Sequence, residues 1–169
     1  DSTAEFKSIS VPIRDVTKGL PKVFTFDMVE GNAEDFETPN ADFFPLSICQ
    51  RLFGMEGPYV GRTFSFWRKG GYTRRVSGVY RDFPTNSQMN NDVYQCLNEQ
   101  QREELWSNHN QWFHNLFVKL RKGADGEKIS EELLANSPTL REKASHFTFM
   151  PLSDVYYVQN ETYNSHLGS

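Results

Sequence analysis

The chain has 169 residues, a net charge of −4 and 37% hydrophobic residues, including 14 Phe, 7 Tyr and 3 Trp. That length suits one domain, or two small subdomains sharing a core, and the interior should be aromatic. The acidic balance weighs against nucleic acid as the partner, no apolar run reaches the ~18–20 residues that span a bilayer, and the opening DSTAEFKSIS carries no signal-peptide pattern.

In chain order, VPIRDVTKGLPKV (11–23) reads as a short helix with Arg14, Lys18 and Lys22 on a solvated face, ending at Gly19 before Pro21. VFTFDMV (23–29) alternates Phe24, Phe26 and Met28 against Thr25 and Asp27, the period of a strand. EGNAEDFETPNADF (30–43) reads as a polar loop. Ser47 followed by Gln50 is a capping-box pattern that opens a short helix with Ile48, Leu52 and Phe53 on one face, and Gly54 can end it in the left-handed region. RTFSFW and YTRRVSGVYRDF flank Lys69-Gly70-Gly71 as a hairpin, and Pro84 stops its second strand.

Val93 to Leu97 reads as a further strand, and Asn98 with Gln101 opens a polar helix held inward by Leu105 and Trp106. From Trp112 the chain alternates again, with Trp112, His114, Leu116, Val118 and Leu120 on one face. Gly123 turns the chain, Asp125 is the N-cap, and Ile129, Leu133 and Leu134 form the buried stripe of a helix ending near Asn136. SHFTFM (145–150) is a last strand, so 112–150 could form a crossover unit. Strands interleaved with short helices make the fold class α+β, with helices packed on mixed sheets.

The chemistry is sparse. His109, His114, His146 and His166 lack metal-ligand spacing, and no Gly-x-Ser-x-Gly elbow or phosphate loop occurs. Asp82 and Asp154 as a hydrolytic carboxylate pair would need a cleft and a set separation, which sequence does not supply. No cofactor, metal or catalytic residue is therefore expected. Two cysteines make no disulfide framework. Cys49 and Cys96 read as buried thiols, with a bridge left open for an oxidising compartment.

Charge is segregated. Asp27, Glu30, Glu34, Asp35, Glu37 and Asp42 follow one another with no base between them, and Arg62, Arg68, Lys69, Arg74, Arg75 and Arg81 follow with no acid. The bland reading of the basic run is a solvated hairpin face with aromatics turned to the core. The functional one makes Arg68, Lys69, Tyr72 and Arg74 contacts for an acidic partner or an anionic lipid headgroup.

Five phrases together carry a resemblance: VFTFDMVEGN (23–32), CQRLFG (49–54), TRRVSGVYRDFPTNS (73–87), VKLRKGAD (118–125) and MPLSDVYY (150–157). Their order and spacing resemble the MacB-like periplasmic core domain of FtsX-type ABC transporter permeases. The resemblance implies that residues 1–169 are one extracytoplasmic core domain excised from between membrane helices, with a porter-like subdomain and a second small mixed-sheet subdomain. Residues 1–22 are shorter than the segment with which such domains usually open. It also implies a non-catalytic, mechanical role at the periplasmic face of the bacterial inner membrane. The partners it implies are a cytoplasmic ATPase subunit reached through the membrane helices, a second permease copy, and a periplasmic protein or an exported peptide or lipid. The alternative from another class is a free-standing secreted module that binds an anionic ligand through the basic hairpin.

Overall fold

The computed structural model describes residues 8–65, 71, 73–107, 115–143 and 148–154. The chain divides into two compact units, 1–118 and 119–169.

The first unit is built on a mixed sheet. Its strands are β1 (Ile13–Val16), β2 (Met28–Glu30), β3 (Asp42–Pro45), β4 (Thr63–Ser65), β5 (Thr73–Tyr80) and β6 (Val93–Cys96). Their order is β1-β6-β3-β5-β2, with β4 paired to β5. The β1/β6 and β3/β5 pairs are parallel, and the others are antiparallel. Short helices connect them: α1 (Leu20–Val23), α2 (Leu46–Phe53) and α3 (Glu99–Ser107), with a 3-10 turn over Ala33–Glu37. The class is α+β, as the interleaved pattern requires.

Both faces of the sheet are covered. One carries an aromatic cluster of Phe24, Phe26, Phe36, Phe43, Tyr80 and Tyr94 with Ala41 and Cys96. Phe36 and Phe43 stack at 3.6 Å, and Phe26 meets Tyr80, Phe83 and Tyr94 at 5.3–5.6 Å in the edge-to-face geometry that ring quadrupoles favour. The buried hydroxyls are satisfied, Tyr80 donating to Asp92 O and Tyr94 to Asn90 O. The other face holds Phe44, Val76, Val79 and Val93 under Ile48 and Cys49 of α2 and Tyr59. Adjacent Phe43 and Phe44 thus point to opposite cores, as the period of a strand dictates.

A bulge shifts the β3/β5 register. Asp42 pairs with Val76 but Phe43 with Gly78, leaving Ser77 as the extra residue, and its Oγ accepts from the Asp42 amide at 3.1 Å. Gly78 lies where a Cβ would stand 2.6 Å from the Phe43 ring, so the glycine makes room for the aromatic stack.

One junction joins separate sequence phrases. The α2 helix follows β3 directly, and its Ser47 amide donates to Asp82 Oδ1 at 2.9 Å. Asp82, from the GVYRDF phrase, satisfies one of the orphan amides at that helix start. The expected Ser47–Gln50 box does not form, because the helix is capped two residues earlier, at Pro45. Gly54, at φ 95°, ends α2 as expected.

Three other expectations change. Residues 11–19 hold β1 in place of a helix, since parallel pairing with β6 fixes Ile13–Val16 extended, and Gly19, expected to end a helix, precedes the short α1 helix instead. The stretch read as a loop contains the Asn32/Asp35-capped 3-10 turn and β3. The strand expected over 112–120 does not form in its described part. Residues 115–120 have no ladder there and expose Leu116, Val118 and Leu120. No strand lies beside them among the described residues, and alternation alone does not make a ladder.

Other expectations hold. The β4/β5 hairpin pairs Thr63–Arg75, Phe64–Arg74 and Ser65–Thr73. Asn98 and Gln101 form a reciprocal cap on α3, and the side chains of Leu105 and Trp106 lie outside the described residues.

The second unit contains α4 (Gly126–Asn136) and α5 (Pro138–Lys143). Asp125 caps α4, accepting from Glu127 and Lys128 amides, after the turn at Gly123. Ser130 is buried, but Leu133 is 44% exposed and Ile129 and Leu134 are half-buried, so the expected stripe is only partly covered. Of the expected last strand, 148–150 are irregular and 145–147 lie outside the described residues.

Candidate functional site

The two charge runs of the sequence meet in the fold. Arg81 reaches Asp27 at 2.8 Å, with both side chains about two-thirds exposed. Arg62 donates to the carbonyls of Phe53, Glu56 and Pro58 at 2.7–3.1 Å and lies over the Phe53 and Tyr59 rings. Glu30 accepts from the Tyr59 and Val60 amides at 2.8 and 2.9 Å. An acid and a base thus fix the two sides of the 54–61 loop.

The second meeting is buried. Asp42, at 0% exposure, faces Arg74 at 13%, with Arg74 Nε 2.6 Å from Oδ2. The contact is an ion pair lying off the N–H direction, since Oδ2 has no aligned donor. The same guanidinium donates to Asn40 O and to the side-chain oxygen of Gln95, whose nitrogen donates to Asp15 Oδ1 at 3.2 Å. One network therefore ties β1, β6, β3 and β5. Burial pushes the Asp42 carboxyl up to about 7; Arg74 opposes that shift and Asp15 adds to it.

Of the positions expected to touch a partner or headgroup, Arg68, Lys69 and Tyr72 lie outside the described residues. Arg74 is described, and its charge faces Asp42. Asp82 serves as the helix-start acceptor, and Asp154 accepts from Ser153 Oγ at 2.8 Å. All four histidines lie outside the described residues, and no His/Cys/Asp/Glu cluster able to hold a metal occurs among the described ones. Cys49 and Cys96 are free and buried, and burial pushes both thiols up to about 12. They belong to cores on opposite faces of the sheet. A cleft of about 140 Å³ between Thr17, Lys18, Phe36, Glu37 and Arg102 is below the ~300–1,000 Å³ usual for a small-molecule site.

Sequence reading missed Asp42. Its signal was an acid opening the apolar run Asp42-Phe43-Phe44-Pro45, where a central strand must bury a charge and so supply a partner.

The MacB-like periplasmic core domain family matches residues 2–136. The chain belongs to that family. It is thus an extracytoplasmic domain of the permease type, a class that is generally non-catalytic. A solved domain of a permease protein from Porphyromonas gingivalis shares the fold, with TM-score 0.60 and 18% identity over 84% of this chain. The chain spans 64% of the length of that structure. No curated protein matches the sequence. No helix among the described residues is long and apolar enough to cross a membrane.

Proposed function

We propose that this domain is the periplasmic lever of an ABC transporter permease at the bacterial inner membrane, passing ATP-driven motion of flanking membrane helices to a partner or exported substrate. The observation that carries the reading is membership of the periplasmic core family across residues 2–136. A body that transmits motion must resist deformation, and a sheet packed on both faces, with its charges paired across strands, suits that role. Hydrolysis belongs to a separate cytoplasmic ATPase subunit, and two permease copies work together. The partner is a periplasmic protein or an exported peptide or lipid. In this reading Arg68, Lys69, Tyr72 and Arg74 of the hairpin are the contacts for an acidic partner or headgroup.

The test uses the intact permease with its ATPase in lipid vesicles. A cross-link between this domain and its second copy should lower transport or partner engagement while the ATPase still binds nucleotide. Unchanged coupling with the domains locked together would refute the lever. For the tip, Arg68→Ala with Lys69→Ala should weaken binding to vesicles rich in anionic lipid or to the acidic partner. Unaltered binding to both would remove the tip from the reading.

A further inference from the structure

Three neighbouring strands meet at one end of the sheet, and a cleft opens there. β1 runs parallel to β6, and β3 antiparallel to it. Lys18 just past β1, Leu97 just past β6 and Pro39 just before β3 therefore come together as its lining. The cleft holds about 140 Å³, close to the ~150 Å³ that takes a benzene-sized group. That is room for one side chain. Pro39 and Leu97, with Phe36 beneath, make the lining apolar.

The charges at this cleft do not cancel. Glu37 and Glu99 stand at it, and each has a base of its own. Lys22 Nζ lies 3.0 Å from Glu37, and Arg102 lies 3.1 Å from Glu99. Lys18 helps to hold the Glu37 carboxyl below its ordinary range, behind the larger effect of Lys22. It has no ion pair or hydrogen bond of its own among the described residues. Three bases against two acids leave one positive charge over, on the exposed side chain of Lys18.

We propose that this cleft binds the C-terminal residue of a peptide, with its apolar side chain against Pro39 and Leu97 and its carboxylate at Lys18. A peptide C-terminus carries a carboxylate and a side chain on the same carbon. A one-residue apolar cleft beside a single uncompensated ammonium suits that pairing, and capture of a terminal carboxylate is a recurring mode of peptide recognition. The site is separate from the hairpin and does not rest on the lever reading.

Amide chemical shifts of the 169-residue chain test this, titrated with the acetylated tripeptide Ala-Ala-Leu. Saturable shifts should appear at Lys18, Leu97 and Arg102, with a Kd of about 1 mM, and none at Val79. The same peptide with an amidated end should bind about fivefold more weakly or worse. A terminal glycine in place of leucine should weaken binding by a similar factor, about fivefold. Lys18→Ala, at an exposed position, should keep the native spectrum and lose about fivefold in affinity. A titration without saturable shifts at the cleft, equal binding of acid and amide, or unchanged affinity in Lys18→Ala overturns the proposal. So does an amidated peptide with an internal glutamate that binds as well as the free C-terminus, because Lys18 would then be reading acidic side chains.

Discussion

The strand β5 is flanked by two arginine–carboxylate pairs that look alike in the sequence and differ in every physical respect. Near its start, Arg74 meets an Asp42 that is wholly out of water. Just past its end, Arg81 meets Asp27 with both partners about two-thirds exposed. Each joins the acidic run to the basic run. In the first, desolvation decides the energetics, and removing one partner strands the other in a low-dielectric interior. In the second, water solvates both charges whether or not they touch. The charge pattern thus specifies which segments meet, while burial sets how much each meeting matters.

Replacing one partner at a time sharpens the contrast. The largest effect should come from Arg74→Met, about 3 kcal/mol of stability at pH 8 by urea unfolding. The loss should shrink at pH 5. The folded-state value for Asp42, about 7, lies above the usual 3.8, so the native fold holds a proton that the unfolded chain releases. Its contribution to stability is complete below about pH 4 and is lost as pH rises through 7. In acid the neutral carboxyl needs its arginine least. A loss that is the same at both pH values would break the comparison.

Gly78→Ala comes next, at about 1–3 kcal/mol, because the added methyl meets a Phe43 ring already stacked on Phe36. Co-replacement with Phe43→Leu should recover part of that loss, measurable as coupling in a double-mutant cycle. Asp82→Ala should cost about 1 kcal/mol by removing the acceptor at the start of α2. The smallest effect belongs to Arg81→Ala, under about 0.5 kcal/mol and smaller still in 0.5 M salt. An Arg81→Ala loss as large as that of Arg74→Met would erase the distinction between the two pairs.

Local chemistry made much of the fold legible. The hairpin, the Asn98/Gln101 and Asp125 caps and the end of α2 at Gly54 all follow from residues close to one another in the chain. The alternation over 23–29 was right in burial, with Phe24 and Phe26 inward, although the ladder begins only at Met28. What escaped depends on distant partners. β1 is extended because β6 lies beside it, and β3 is a central strand whose four buried residues show no alternation. Residues 115–120 have the alternation without a described neighbour. The Asp42–Arg74 pair escaped for the same reason: the acids that meet Arg74 and Arg81 lie far back in the chain, while the basic run by itself reads either as a solvated face or as a contact surface. The family phrases were nonetheless recognisable, because turns, caps and close approaches constrain residue identity locally.

The bond from Ser47 to Asp82 makes two of those phrases a single mechanical part. Anyone building chimeras within this family should exchange the LFG helix and the GVYRDF strand end as one cassette. Swapping either alone would leave a helix start bare or a carboxylate idle, and the graft would be less stable for a reason that neither segment reveals by itself.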